Sequence, residues 1–173
     1  MKTYKIYTDG AATMKQVNGE YVREAGGWAF LVIDEKDNAC VFQNYGHKAE
    51  TTNNEMELTA ICKALHWAYE TLDSGDTIEI CSDSAYCVNI YTQWISSWKK
   101  NGWTRGKKHE PIENLGVIKI TDELLGSLTK NFMAVKFTKV RGHADDFWNN
   151  QADALAVKGK LKDFDDGAMM SWS

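Results

Sequence analysis

The sequence predicts a single α/β domain built on a mixed five-stranded sheet flanked by helices, and three patterns carry that prediction. Apolar residues alternate in three strand-like runs near the N-terminus, a long stretch of helical periodicity follows, and two further strand runs return between helical tracts. With 173 residues the chain is long enough for one ordinary domain that buries roughly two-thirds of its unfolded surface.

Tyr4 and Ile6 around Lys5 begin the first strand, and Gly27–Ile33 and Cys40–Tyr45 give two more, separated by the polar turn Asp34-Glu35-Lys36-Asp37-Asn38. Three strands in succession read as an antiparallel meander, with the stretch from Ala12 to Gly26 taken as a loop. From Asn54 to Leu72, the apolar positions Leu58, Ile61, Leu65, Ala68 and Leu72 recur at helical spacing, and Asp73-Ser74-Gly75-Asp76 stops the helix. Thr77–Cys81 is a fourth strand. Reversal at each turn makes the first, third and fourth strands run the same way, with the helix as a right-handed crossover. If the fourth strand pairs beside the first, Asp9 and Asp83 emerge together at adjacent carboxyl ends, where open α/β sheets place their ligands.

A helical tract follows from Ser84 to about Asn101, then a Gly-Lys loop, a helix from about Asn114 to Lys130, and a fifth strand over Ala134–Val140. The last element is a helix over Phe147–Leu161, with Trp148, Ala152, Leu155, Ala156 and Gly159 as its packing stripe. Asn149 and Asp153 are four apart and share a face of it. The expected domain is 1–161, and 162–173 reads as a poorly ordered acidic tail.

Composition excludes several classes. Hydrophobic residues make up 43% and charged residues 25%, the net charge is −4, and there is one proline and no repeat. Any nucleic-acid surface must therefore concentrate its positive charge. No apolar run approaches the roughly 20 residues needed to span a bilayer, and Met1–Ile6 has no signal-like pattern, so a cytoplasmic protein is expected. Cys40, Cys62, Cys81 and Cys87 lack zinc-site spacing and are expected to be reduced, mostly buried thiols.

Four acidic residues in separate local motifs carry the chemistry: Asp9 in Thr8-Asp9-Gly10, Glu57 in Met56-Glu57-Leu58, Asp83 in Ser82-Asp83-Ser84, and Asp153 in Ala152-Asp153. Singly, each reads as a turn residue, a helix-rim charge or a surface acid. Converging at one crevice, they repel one another and lose hydration, and divalent cations would neutralise them. Hard oxygen ligands suit magnesium, and two ions about 4 Å apart serve phosphodiester hydrolysis. Neither H-E-x-x-H nor paired cysteines occur, which argues against a zinc hydrolase.

The tract from Gln93 to Lys108 gathers Trp94, Trp98 and Trp103 with Lys99, Lys100, Arg105, Lys107 and Lys108. Its bland reading is a small local core with a solvated basic rim. Interleaved aromatic and basic residues also suit a surface that tracks a nucleic-acid backbone. Thr52, Asn53 and Asn54 are good helix starters. His143 sits in a loop, where a histidine is often incidental, yet its ordinary pKa suits proton transfer.

These motifs, in this order, together with Gly142-His143-Ala144, resemble the ribonuclease H type 1 family, over Lys2 to about Leu161. The resemblance implies the ribonuclease H fold with strand order 3-2-1-4-5. It implies magnesium-dependent cleavage of the RNA strand of RNA–DNA hybrids, giving 5′-phosphate and 3′-hydroxyl ends, with two ions on Asp9, Glu57, Asp83 and Asp153 and manganese as a substitute. By the same resemblance His143 assists catalysis, and the tract with Trp94, Lys99, Lys100 and Trp103 is a basic handle on the DNA strand. Gly10, Thr52, Asn53, Asn54 and Asn149 contact substrate, with 2′-hydroxyls read across the minor groove. A monomer is expected. Two departures stand out: Glu50 replaces an arginine common beside the family's phosphate pocket, and the Ala12–Gly26 stretch is longer than usual and lacks an Asn-Pro-Gly turn. The competing readings are another nuclease of this fold, integrase- or resolvase-like, and a catalytically silent hybrid-binding module.

Overall fold

The computed structural model describes residues 1–141 and 146–163. Five strands form one sheet in the order β3-β2-β1-β4-β5: β1 (Thr3–Val17), β2 (Glu20–Asp34), β3 (Ala39–Thr51), β4 (Thr77–Ser82) and β5 (Ala134–Lys139). β1 and β3 run antiparallel to β2, β4 lies parallel to β1, and β5 lies parallel to β4. The expected mixed sheet and its strand order are both found.

Helix α1 (Asn53–Thr71) returns the chain from β3 to β4. Its start is set by sequence: Thr52 is the N-cap, its hydroxyl accepting from the Glu55 N–H at 3.1 Å. The Glu55 carboxylate then accepts from the Thr51 hydroxyl and pairs with Lys48 at 2.7 Å. After the helix, Asp76 ties the turn to the sheet by accepting from the Asp73 N–H at 3.0 Å and the Lys2 N–H at 2.9 Å.

Both faces of the sheet are covered. Ile6, Trp28, Phe30 and Val32 pack with Leu58, Ile61 and Leu65 of α1 on one side. On the other, Ala29, Leu31, Ile33 and Tyr45 pack with Ala152, Leu155 and Ala156 of α5 (Phe147–Lys160). A strand buried on both faces has no polar side, which is why Trp28–Ile33 reads as a continuous apolar run. Helix α5 comes so near the sheet that a Cβ on Gly159 would collide with the Gly46 carbonyl oxygen.

Three expectations need correction. Residues 12–26 are not a loop: β1 and β2 continue as a two-stranded ribbon to a turn at Asn18 and Gly19, both in the left-handed region (φ 52° and 82°). Asn-Gly flanked by alternating residues favours this tight hairpin turn, and no Pro-Gly is required. The Ser84–Asn101 tract is α2 (Ala85–Asn89), one π-helical turn (Ile90–Trp94) and α3 (Ile95–Lys100) rather than one uniform helix. The four cysteines are free as expected, but Cys40 is exposed, because β3 begins at the open edge of the sheet, and Cys62 on α1 is half-buried. Helix α4 (Leu115–Lys130) packs beside α1. Among the described residues, no helix is long and apolar enough to cross a membrane. Residues 164–173, most of the expected tail, lie outside the described residues.

Candidate active site

Asp9 sits in the interior of β1 rather than at its end. β4 pairs with β1 only as far as Thr8–Ser82, while β2 continues beyond and pairs Ala29 with Asp9. One edge of β1 therefore opens at Asp9, beside Asp83, the residue that follows the last of β4. The chain leaves the sheet there because the next residues cap α2: the Ser84 hydroxyl accepts from the Cys87 N–H at 3.2 Å, and Ser82 Oγ accepts from the Ser84 N–H at 3.1 Å.

Glu57 arrives from α1. Gly10 lets that helix approach: a Cβ on Gly10 would collide with the Glu57 nitrogen and stand 2.5 Å from the Met56 carbonyl carbon. The sequence marked Gly10 as a substrate contact; its visible role is to admit the Glu57 backbone. Asp9 and Glu57 are only 3% and 9% exposed. One carboxylate oxygen from each of Asp9, Glu57 and Asp83 lies within 4.8 Å of the others.

Burial raises all three carboxyls above the ordinary carboxylate range. Asp9 adds a further upward push on Glu57, and Asp153 does the same for Asp83. Asn149 opposes the rise at Asp83 by hydrogen bonding to its carboxylate. Glu57 Oε2 is buried with no hydrogen-bond partner among the described residues. An oxygen-only donor set, crowded, partly dehydrated and with an orphaned acceptor, fits a hard divalent cation. Asp153 is exposed on α5 at the rim, outside this trio, yet it faces both Asp9 and Asp83 electrostatically. Asn149 is buried one turn before it, so their shared face is turned to the site. His143 lies outside the described residues.

The aromatic and basic tract follows Asp83 along the chain, after α2. Trp94 and Trp98 stand with ring centroids 5.9 Å apart, and Tyr86 lies 6.1 Å from Trp94. These rings, with Asn54 and Arg105, line a cleft of about 360 Å3. Beyond α3 the turn is fixed by Asn101, whose side-chain amide donates to the Gly106 carbonyl at 2.9 Å, and by Thr104, which donates to the Asn101 carbonyl at 2.6 Å. Trp103 carries Lys119 at 5.4 Å and Lys99 at 6.0 Å over its ring.

Not every expected phosphate-facing cation is available. Lys99 is paired to Asp122 at 3.0 Å, and Arg105 lies 3.7 Å from Glu110 across an isolated β-bridge. Lys100 and Lys107 instead line an open concavity with Asn101. Lys119 was missed in the sequence because it comes from α4, and no local pattern announces a cross-helix stack. Thr52 is used as the α1 cap, and the Asn53 side-chain oxygen accepts from the Ala12 N–H at 2.7 Å, so Asn53 anchors β1 to α1. Of the three polar residues there, Asn54 alone lines the cleft. Glu50 is exposed.

The comparisons agree with this geometry. The RNase H family profile matches residues 1–160. The chain is 36% identical over 161 residues to the ribonuclease H of Acetivibrio thermocellus, covering 91% of this chain and 94% of that one. It is 38% identical over 158 residues to the ribonuclease HI of Neisseria meningitidis serogroup B, covering 91% and 95%. Among solved structures, LC9-RNase H1, described as a type 1 RNase H with the type 2 active-site motif, superposes with a TM-score of 0.75 at 26% identity, over 96% of this chain and 76% of that one.

Proposed function

The chain belongs to the ribonuclease H family, and on that premise we propose that it hydrolyses the RNA strand of RNA–DNA hybrids with two divalent cations held by Asp9, Glu57, Asp83 and Asp153. The observation that carries the proposal is the trio of buried and half-buried carboxylates within 4.8 Å of one another, at the end of β4 from which the chain runs on through α2 to the aromatic and basic arm. Magnesium is the proposed ion, with manganese as a substitute. A monomer acting in the cytoplasm completes the reading.

Bound at such a cluster, divalent cations supply activation of water and stabilisation of the leaving oxygen. The protein's own part is positional. Gly10 brings the Glu57 backbone against β1, the Thr8–Ser82 pairing sets Asp83 beside Asp9, and Asn149 holds the Asp83 carboxylate. Trp94 and Trp98 offer apolar faces to a sugar or base, Lys100 and Lys107 offer charge to phosphates, and Asn54 offers an amide at a groove edge. His143 is proposed to move a proton during turnover without holding a cation.

The test is cleavage of an end-labelled hybrid against single-stranded RNA, RNA duplex and DNA duplex, with magnesium or EDTA. Cutting of the hybrid's RNA strand alone, lost with EDTA and in Asp83→Asn, supports the proposal. Hybrid binding without cutting would make the domain a silent binding module, and cutting of DNA would make it an integrase-like nuclease.

A further inference from the structure

The basic arm has little in its own chain to fix its position. It follows β4 through α2 of 5 residues, a π-helical turn and α3 of 6 residues, and α3 buries none of its side chains. Helices this short draw their stability from packing on a neighbour. Directly after α3, Gly102 and Trp103 both take left-handed backbone angles (φ 70° and 60°). Glycine adopts these freely, but a bulky aromatic residue stays there only where its surroundings hold it. The Trp103 N–H closes the turn by donating to the Trp98 carbonyl at 2.8 Å.

The side chains that hold it come from α4. Ile118 and Thr121 are fully buried on the inner side of that helix, and the residue after each of them, Lys119 and Asp122, reaches the arm. Three residues apart, Lys119 and Asp122 are neighbours on the helix surface. Lys119 Nζ lies 5.4 Å from the centre of the Trp103 ring and Lys99 Nζ 6.0 Å, both at the cation–π range of about 6 Å. Lys99 Nζ also stands 3.0 Å from the Asp122 carboxylate, which offsets the repulsion between two cations sharing one ring. Helix α4 packs beside α1, the helix that carries Glu57. A set of contacts therefore joins the carboxylate cluster to the arm through α1 and α4, separately from the covalent path through α2.

We infer that Asp122 and Lys119 are positioning residues for hybrid binding: acting through Lys99 and Trp103, they clasp the arm to α4 and so hold Lys100 and Lys107 ready for phosphates. The inference rests on the proposed reading of the arm as a nucleic-acid surface. It has a sign of its own. An acidic residue beside a polyanion repels it, so charge alone would make removal of Asp122 tighten binding. A clasp does the reverse: without Asp122 the arm is loosened and must be ordered on association, which weakens binding. The chemical step at Asp9, Glu57 and Asp83 is left as it was.

The experiment is steady-state cleavage of an RNA–DNA hybrid by the full chain and its variants, beside amide hydrogen exchange of the free protein over residues 101–110. In Asp122→Asn, KM is expected to rise about threefold, the size of one surface ion pair, with kcat unchanged. Exchange at the Trp103 amide is expected to quicken while that of α1 stays the same. Asp122→Glu should restore KM, and Asp122→Asn should add nothing to the effect of Lys99→Gln. Lys119→Met, which keeps the length of the side chain and loses its charge, should quicken the same amide. The inference is overturned if the wild type cleaves the hybrid and Asp122→Asn leaves KM unchanged or lowers it, or if kcat falls together with thermal stability. A wild type that cleaves no hybrid would overturn the nuclease reading instead; exchange at Trp103 in Asp122→Asn then supports the clasp if faster and overturns it if unchanged.

Discussion

Gly10 and Glu57 touch backbone to backbone: a Cβ on Gly10 would collide with the Glu57 nitrogen. Neither backbone can yield cheaply, since β1 is paired on both sides up to Thr8 and α1 is anchored through Asn53 to Ala12. Gly10→Ala is therefore expected to cost about 1–3 kcal/mol of stability through overpacking. It also pushes Glu57 away from Asp9, so turnover falls even at saturating magnesium. Denaturant unfolding and single-turnover cleavage measure the two effects. Wild-type values in both would show that the helix slides without cost.

The pH dependence has a definite sign. Asp9 and Glu57 are raised by burial, and Glu57 further by Asp9, so without cations the folded state holds more protons than the unfolded one. Their contribution to the stability of the cation-free protein is then greatest below the ordinary carboxylate range of about 4 and falls as pH rises through the raised values. A cation displaces those protons, so magnesium affinity rises with pH over the same window. Thermal unfolding at several pH values, with magnesium and with EDTA, should show curves that diverge as pH increases. In Glu57→Gln the divergence should shrink.

Asn149 supports Asp83 by a hydrogen bond from a nearly buried position. Removing such a partner of a cation-binding carboxylate typically costs about 10–100-fold in affinity or activity. Asn149→Ala is expected to lose that much in magnesium affinity, read by calorimetry, while Gln151→Ala, at an exposed position on the same helix, changes little.

Asp153 stands exposed at the rim, outside the trio of Asp9, Glu57 and Asp83. Asp153→Asn should accordingly keep more residual cleavage than Asp83→Asn or Asp9→Asn. Equal loss in all three, measured at saturating magnesium, would place Asp153 on the same footing as the buried carboxylates.

On the arm, Lys99 is paired to Asp122 whereas Lys100 and Lys107 line an open concavity. Each phosphate contact removed should lower the slope of log affinity against log salt by about 0.7–0.9. Lys100→Gln and Lys107→Gln are expected to flatten the slope for hybrid binding, and Lys99→Gln to change it less.

Much of this was legible in the chain. The strand and helix periods, the Thr52 cap and the stripe from Ala152 to Gly159 are local patterns, and secondary structure obeys local rules when sequence and environment agree. Asp9, Glu57, Asp83 and Asp153 were readable because each lies in a short motif. The hairpin turn at Asn18-Gly19 is likewise a local signal present in the chain, although the stretch around it reads as a loop.

Other features had no local signature. Asp9 lies within β1 rather than at its end, a fact set by where a different strand, β4, stops pairing. The Lys99–Asp122 pair and the stack of Lys119 on Trp103 join α3 and its turn to α4. A cavity lined by Trp28, Thr59 and Leu124 needs β2, α1 and α4 together. Periodicity and capping act over a few residues and can be read along the chain. Which carboxylate is buried, which lysine is already paired and where space remains depend on residues distant in sequence, and packing alone brings those together.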